Sequence, residues 1–327
     1  PVASTLFTNA RIVDGSAPEA GAPVSVLVEG GTIREVGKSV TSAKAKVVDL
    51  KGKTLMPGLI DAHVHVVAGV ADLGANSRLP DSLVTARSFG IMRAMLMRGF
   101  TTVRDVGGAD FGLKQATEEG DFPTPRLVIS GKALSQTGGH ADFRGRYDDR
   151  PSVIERHRLG ALGRICDGVD QVRRAAREEL KGGADFIKIM ANGGCASPTD
   201  PIHFLGFSVS ELEAVVEEAR MAGTYVSAHV YTDDAIRRCV EAGVHSLEHC
   251  NLIKAETAKL AASKGAVAVP TLVTYDKLVS DGPKLGFPPD SVAKVDVVRS
   301  AGMESLAIMK KAGLTMAYGS DLLGEMH

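Results

Sequence analysis

The chain has 327 residues, 44% of them apolar and 24% charged, with a formal net charge of −1. That balance supports a full hydrophobic core. It carries no basic or acidic block that would attract nucleic acid or an anionic membrane, and no apolar run of membrane-span length.

The opening Pro1-Val-Ala-Ser-Thr-Leu-Phe7 lacks the charged region and long apolar stretch of a signal peptide. A cytoplasmic location is therefore expected, although a start on Pro1 in place of methionine points to processing or trimming. Residues 1–56 read as β-structure throughout. Leu6-Phe-Thr-Asn-Ala-Arg-Ile-Val13, Val24-Ser-Val-Leu-Val28, Ile33-Arg-Glu-Val36, Val47-Val-Asp-Leu50 and Thr54-Leu-Met56 are strand-like, and Glu29-Gly-Gly-Thr32 is a turn signal. Such short strands need a second layer, so a small β-sandwich segment is expected.

From Pro57 the pattern becomes strand, loop, helix, repeated. Strands are expected near residues 58–66, 101–106, 126–131, 184–190, 224–230, 245–249, 266–270 and 314–320. Helical periodicity marks 82–98, 168–181, 208–222 and 291–311, with Leu212, Val215, Ala219 and Ala222 on one face opposite Glu213, Glu217 and Arg220. Eight β-runs with helices between them predict an α/β fold, a (β/α)8 TIM barrel over residues 57–327. An open doubly wound sheet would place a Gly-rich phosphate loop after the first strand, where this chain has His63-Val-His65. Residues 136–167 form a long Gly-containing segment after the third strand, expected to be a lid. The chain stops six residues after Asp321. A barrel would carry a final helix there, and a sandwich further strands, so a longer polypeptide is expected.

Metal-ligand residue types recur where these strands end. His63 and His65 close Gly58-Leu-Ile-Asp-Ala-His-Val-His65; His229 ends Tyr225-Val-Ser-Ala-His229; His249 ends Ser246-Leu-Glu-His249; Asp321 ends Met316-Ala-Tyr-Gly-Ser-Asp321. Residues i and i+2 of a strand share a face, so one metal can take both His63 and His65. In a barrel of parallel strands all these ends converge on one face. Lys188 lies in Asp185-Phe-Ile-Lys-Ile-Met190, where burial disfavours its charge and frees the amine. Reaction with carbon dioxide would give a carbamate, an anion that can bridge two metals; a snorkelling or Schiff-base lysine is the alternative. Singly, each histidine is more often structural and Asp321 a helix cap. Together they predict two divalent cations, expected to be zinc, that activate a water with Asp321 as general base. Cys166, Cys195, Cys239 and Cys250 contain no Cys-x-x-Cys pair and read as free thiols, Cys195 lying in the Gly-rich loop after Lys188.

These residues resemble the amidohydrolase superfamily. The resemblance covers essentially the whole chain and implies a (β/α)8 barrel beside a β-sandwich, with Lys188 similar to the carboxylated bridging lysine of binuclear members. Single-metal deaminases of the superfamily usually carry His-x-x-Glu after strand five, whereas His229 is followed here by Val230, Tyr231 and Thr232. More narrowly, Thr101-Thr-Val-Arg-Asp-Val-Gly107, Gln136-Thr-Gly-Gly-His-Ala-Asp142, Lys188-Ile-Met-Ala-Asn-Gly-Gly194 and Ala228-His-Val-Tyr231 resemble the imidazolonepropionase-related metallopeptidase branch. This branch includes Xaa-Pro dipeptidases, carboxypeptidases for basic residues and ochratoxin-type amidases.

The resemblance implies that His140 and Tyr231 bind the substrate's C-terminal carboxylate or scissile carbonyl. Arg144, Arg146 and Arg150 in the expected lid read as surface charges, any one of which could meet a carboxylate. The implied activity is cleavage of an amide beside a free carboxylate in a small peptide or N-acyl amino acid. An Xaa-Pro dipeptidase is the first reading, and an Arg/Lys carboxypeptidase or N-acyl amino acid amidase the second. A phosphotriesterase, a lactonase and a catalytically dead binding module are weaker readings, and a homo-oligomer is compatible with all of them.

Overall fold

A computed structural model describes residues 3–152, 157–287 and 289–327. The chain divides into two compact units, Pro1–Leu59 and Ile60–His327. Among the described residues, no helix is long and apolar enough to cross a membrane.

In the first unit, β1 (Ser4–Ile12) pairs antiparallel with β2 (Val24–Glu29), which pairs antiparallel with β3 (Thr32–Gly37). The β2–β3 turn is Gly30-Gly31, at φ 58° and 76°. A tight two-residue hairpin needs both central residues in that left-handed region, and glycine enters it at no steric cost. On its other side β1 pairs in parallel with β4 (Lys46–Asp49) and β5 (Thr54–Leu55). Among the described residues this unit is one five-stranded sheet, where two layers were expected. Its buried cluster is small, made of Leu6, Leu27 and Val40.

The second unit is α/β. Its strands form two sheets. β6 (Leu59–Val64), β7 (Phe100–Asp105) and β8 (Arg126–Ile129) make one. β9 (Ala133–Ser135), β10 (Gly163–Ile165), β11 (Ile187–Met190), β12 (Val226–Thr232), β13 (Ser246–Leu252), β14 (Val267–Val269) and β15 (Thr315–Met316) make the other, in the order β10-β9-β11-β12-β13-β14-β15. The β7–β8 pair and every pair of the larger sheet are parallel. Backbone bonds link the sheets at both ends: Asp185 N donates to Ile129 O (2.8 Å), Ala62 N to Tyr318 O (2.8 Å) and Asp321 N to His63 O (2.9 Å).

Helices at Asp81–Met97, Val169–Lys181, Val209–Met221 and Pro289–Lys311 match the four periodic segments. Leu212, Val215 and Ala219 are buried as expected, whereas Ala222 follows the helix and is exposed. Further helices at Phe111–Glu119, Asp233–Ala242, Ala255–Ser263 and Leu272–Ser280 complete the alternation. The expected lid holds β10 and is partly built into the sheet; its residues 153–156 lie outside the described residues.

The core explains how the site is aimed. Ile187, Ile189, Ala228, Val230 and Leu247 pack against Val172, Leu212, Val215, Ile236 and Val240 of the helices. Burying each large aliphatic side chain contributes about 1.5–3 kcal/mol. A strand alternates its faces, so the same packing turns Lys188, Ser227 and His229 to the opposite side.

Candidate metal centre

All eight residues singled out from the sequence line one cavity: His63, His65, His140, Lys188, His229, Tyr231, His249 and Asp321. Arg144, Arg146 and Arg150 do not line it, and Arg144 pairs with Asp142 at 2.7 Å. Cys195 does line it, but burial pushes its thiol up to about 12, against the weaker opposing effect of Tyr231, so it is no thiolate nucleophile.

The imidazoles lie against one another. Ring centroids are 5.4 Å apart for His63–His65, 4.8 Å for His63–His249 and 4.7 Å for His229–His249. Asp321 reaches in from beyond β15, its Oδ1 lying 3.4 Å from His63 Nε2 and 3.5 Å from His65 Nε2. His63, His249 and Asp321 offer one ligand atom each, all within 4.8 Å of one another.

The remaining nitrogen of each ring is held from behind. His63 Nδ1 meets Glu248 Oε2 at 2.7 Å and His65 Nδ1 meets the Gly107 carbonyl at 3.0 Å. His249 Nδ1 meets Thr271 Oγ1 at 2.7 Å and Tyr275 OH at 3.1 Å, and His229 Nε2 meets the Gly193 carbonyl at 3.3 Å. Rings tethered through one nitrogen, with imidazole and carboxylate atoms converging on a shared point, fit a divalent cation of the zinc class.

Electrostatics agree with that fit. Burial pushes His65 down to about 4, outweighing Asp321, and holds His229 and His249 well below the ordinary histidine range. Neutral imidazole is the ligating form. His63 is the exception: burial pulls it down, yet Asp321 and Glu248 leave it raised. Asp321 resists the upward push of burial because the surrounding histidines hold it below the usual carboxylate range. Lys188 is 1% exposed and has no hydrogen-bond partner among the described residues; burial brings its ammonium down to about 8.

Two backbone features set this geometry. Alternation along β13 places Ser246 and Glu248 on the inner side and would turn His249 outward. His249 instead adopts φ 73° and Cys250 φ 56°, a left-handed kink that brings His249 to the cavity while Glu248, next to it, stays behind the His63 ring. Asp321 is also left-handed, at φ 52°. Such conformations are costly for non-glycine residues, and here they fall on two of the candidate ligands.

Sequence reasoning did not find Glu248 and Arg104. Glu248 is fully buried, and its Oε1 accepts from Arg104 (2.7 Å), Ser227 (2.7 Å) and Ser246 (2.6 Å). Arg104 also donates to the Ala62 carbonyl at 2.6 Å and lies over the Phe186 ring. The pair steers His63. The available signal was a charged residue beside a ligand at the same strand end.

Tyr231 and His140 flank the histidines. The His140 ring stacks on His229, centroids 4.1 Å apart, and the Tyr231 ring stands 4.7 Å from His229. Tyr275 OH donates to Tyr231 OH at 3.3 Å. Leu73, Phe143, Leu162, Met190, Leu278 and Leu323 make the rest of the wall largely apolar.

The family model of the amidohydrolase family matches residues 54–327. The ochratoxinase of Aspergillus niger is 34% identical over 279 residues, covering 82% of this chain and 58% of its own length; this chain thus spans little more than half of that relative. A crystallised amidohydrolase is 55% identical with a TM-score of 0.96, over 99% of this chain and 79% of that one. A prolidase crystallised with N-methylphosphonate-L-proline is 50% identical with a TM-score of 0.98, over 99% and 80%.

Proposed function

This chain belongs to the amidohydrolase family, and we propose that it is a binuclear metal-dependent hydrolase that cleaves an amide next to a free carboxylate, with Xaa-Pro dipeptides as its substrates. The observation carrying this reading is the convergence of His63, His65, Lys188, His229, His249 and Asp321 on one cavity. The prolidase with a phosphonate-proline ligand supports the choice of substrate. We read the second unit as a (β/α)8 barrel, supported by the backbone bonds that join its two sheets at both ends. We read the first unit's sheet as part of a β-sandwich.

In this reading His63 and His65 would hold one cation, His229 and His249 a second, and Asp321 would join the set. Lys188, if carboxylated, would add an anionic group to the same set. Bound divalent ions of the zinc class supply Lewis acidity and a water acidic enough to be a nucleophile near neutral pH. The chain's own residues do the rest. Asp321 is the group that would accept the proton of the attacking water and return it to the leaving nitrogen. Tyr231 and His140 grip the carbonyl and the carboxylate. The apolar wall takes the side chain on the acyl side and excludes water.

The A. niger ochratoxinase favours a second reading, hydrolysis of an N-acyl amino acid. An Arg/Lys carboxypeptidase fits less well. Asp321 is the sole acidic side chain among the described residues lining the cavity, and the reading assigns it to the metals. Screening the zinc-loaded protein against dipeptides and N-acyl amino acids decides among these. Turnover of Xaa-Pro is the expected result, and turnover restricted to N-acyl amino acids or basic C-termini contradicts it.

A further inference from the structure

His140 is held by a cluster outside the metal set. Its Nδ1 lies 2.6 Å from Ser197 Oγ and 3.5 Å from Asp200 Oδ2. The same carboxylate oxygen accepts from Gly194 N at 2.8 Å. Ser197 has one proton to give. Asp200 Oδ2 has none and can face Nδ1 only as an acceptor, and a ring N–H there satisfies both that oxygen and Ser197 Oγ. The ring proton therefore sits on Nδ1, and Nε2 is the nitrogen left for the cavity that His140 lines.

The loop is built for this contact. A Cβ at Gly194 would stand 1.8 Å from His140 Cε1, so the ring rests directly on glycine backbone. Lys294, from the long helix Pro289–Lys311, donates to the carbonyls of Gly194 (3.1 Å), Ser197 (2.8 Å) and Asp200 (2.9 Å). One ammonium thus fixes the loop on both sides of Ser197.

Asp200 is 1% exposed, and its Oδ1 has no hydrogen-bond partner among the described residues. Leaving a buried carboxylate oxygen unpaired is costly. Stapling the loop does not require a charge there, since a neutral side chain could accept from Gly194 N. Holding one tautomer of a histidine does call for an acceptor that cannot turn into a donor.

We propose that Ser197 and Asp200 are positioning residues that lock His140 as the Nδ1–H tautomer and fix the placement of Nε2 in the substrate cavity, on a loop clamped by Lys294. The proposal rests on the reading of His140 as a substrate contact.

The test uses the full chain labelled with 15N at its nine histidines. Long-range 1H–15N spectra report ring tautomers, and His140→Gln identifies the His140 signals. Wild type is expected to show Nδ1–H at His140. Ser197→Ala, and independently Asp200→Ala, are expected to move it toward Nε2–H or an averaged pattern. An unchanged His140 spectrum in both variants overturns the proposal. In zinc-loaded protein, Ser197→Ala is expected to lower kcat/KM for an Xaa-Pro dipeptide by on the order of 100-fold, mainly through KM. It should add nothing in a His140→Gln background, because it acts through that ring. Additive losses overturn the proposal. If wild type cleaves no dipeptide, the functional reading falls, and the spectra still decide how His140 is held.

Discussion

Replacing Glu248 with glutamine tests whether a buried charge, and not shape alone, orients the centre. Four donors converge on this carboxylate: Arg104, Ser227 and Ser246 on Oε1, and His63 Nδ1 on Oε2. Burial raises its pKa, but Arg104 and His63 hold it well below the usual carboxylate range, so it is the anion that is buried. A glutamine must turn its NH2 toward one end or the other. At Oε1 it meets three donors. At Oε2 it forces His63 to accept at Nδ1 and to carry its proton on Nε2, the nitrogen that faces Asp321. Either way Arg104, its side chain only 11% exposed, loses its counter-charge. Breaking a buried ion pair from one side costs about 3–5 kcal/mol. At roughly 2 °C per kcal/mol for a chain of this size, the melting temperature should fall by about 6–10 °C. Loss of the group behind a ligand should weaken metal affinity by about 10- to 100-fold. Thermal unfolding and zinc competition with a chromophoric chelator read both. A variant melting within about 1 °C of wild type with unchanged zinc affinity would refute the reasoning.

Lys188→Ala should remove metal and activity together, with partial rescue by added short-chain carboxylates; unchanged metal content excludes the bridging role. Asp321→Asn should retain most bound metal yet lose turnover by orders of magnitude, since the proton acceptor is gone; near-normal kcat excludes it as the base. Tyr231→Phe should weaken substrates with a free C-terminus more than amidated ones, and equal effects argue against carboxylate recognition. Lys132 offers a pH test away from the metals. Burial pushes its ammonium down to about 8, against the pull of Glu179 and other acids, while it donates to the carbonyls of Arg158 and Ala161. Its native pKa lies below its unfolded value, so between pH 8 and about 10.5 the unfolded chain binds more protons. Its contribution to stability should therefore rise with pH by about 3 kcal/mol across that window. Lys132→Met should flatten the wild-type slope, and identical slopes would contradict the shift.

The candidate site was legible because strand ends are legible. An apolar β-run that closes on histidine, or carries one polar residue on its inner face, fixes both depth and direction, and that placed His63, His65, His229 and Lys188 from local sequence; Asp321 lies beyond the two-residue β15, in a left-handed conformation, where a strand over 314–320 was expected. His249 reached the cavity by another route. Strict alternation puts Glu248 inside and His249 outside, and a left-handed kink that no propensity signals brings His249 in. Arg104, Ser197 and Asp200 were silent for a different reason. Their partners lie far off in sequence, 144 residues away for Arg104–Glu248 and 57 for His140–Ser197, and periodicity carries no information about such pairs. Short elements were hidden too. The three-residue strands β9 and β10 and the nine-residue helices at Phe111–Glu119 and Leu272–Ser280 offer too few turns or alternations for a pattern to emerge. In the first unit the strands were readable, but the number of layers was not, because layering depends on what covers a sheet.

The most direct test of the account is the anomalous scattering of crystals of the zinc-loaded chain, measured at the zinc edge. Two peaks are predicted, one beside His63 and His65 and one beside His229 and His249, with extra density on Lys188 Nζ between them. No peak among these side chains, or a single peak distant from Lys188, would contradict the binuclear centre.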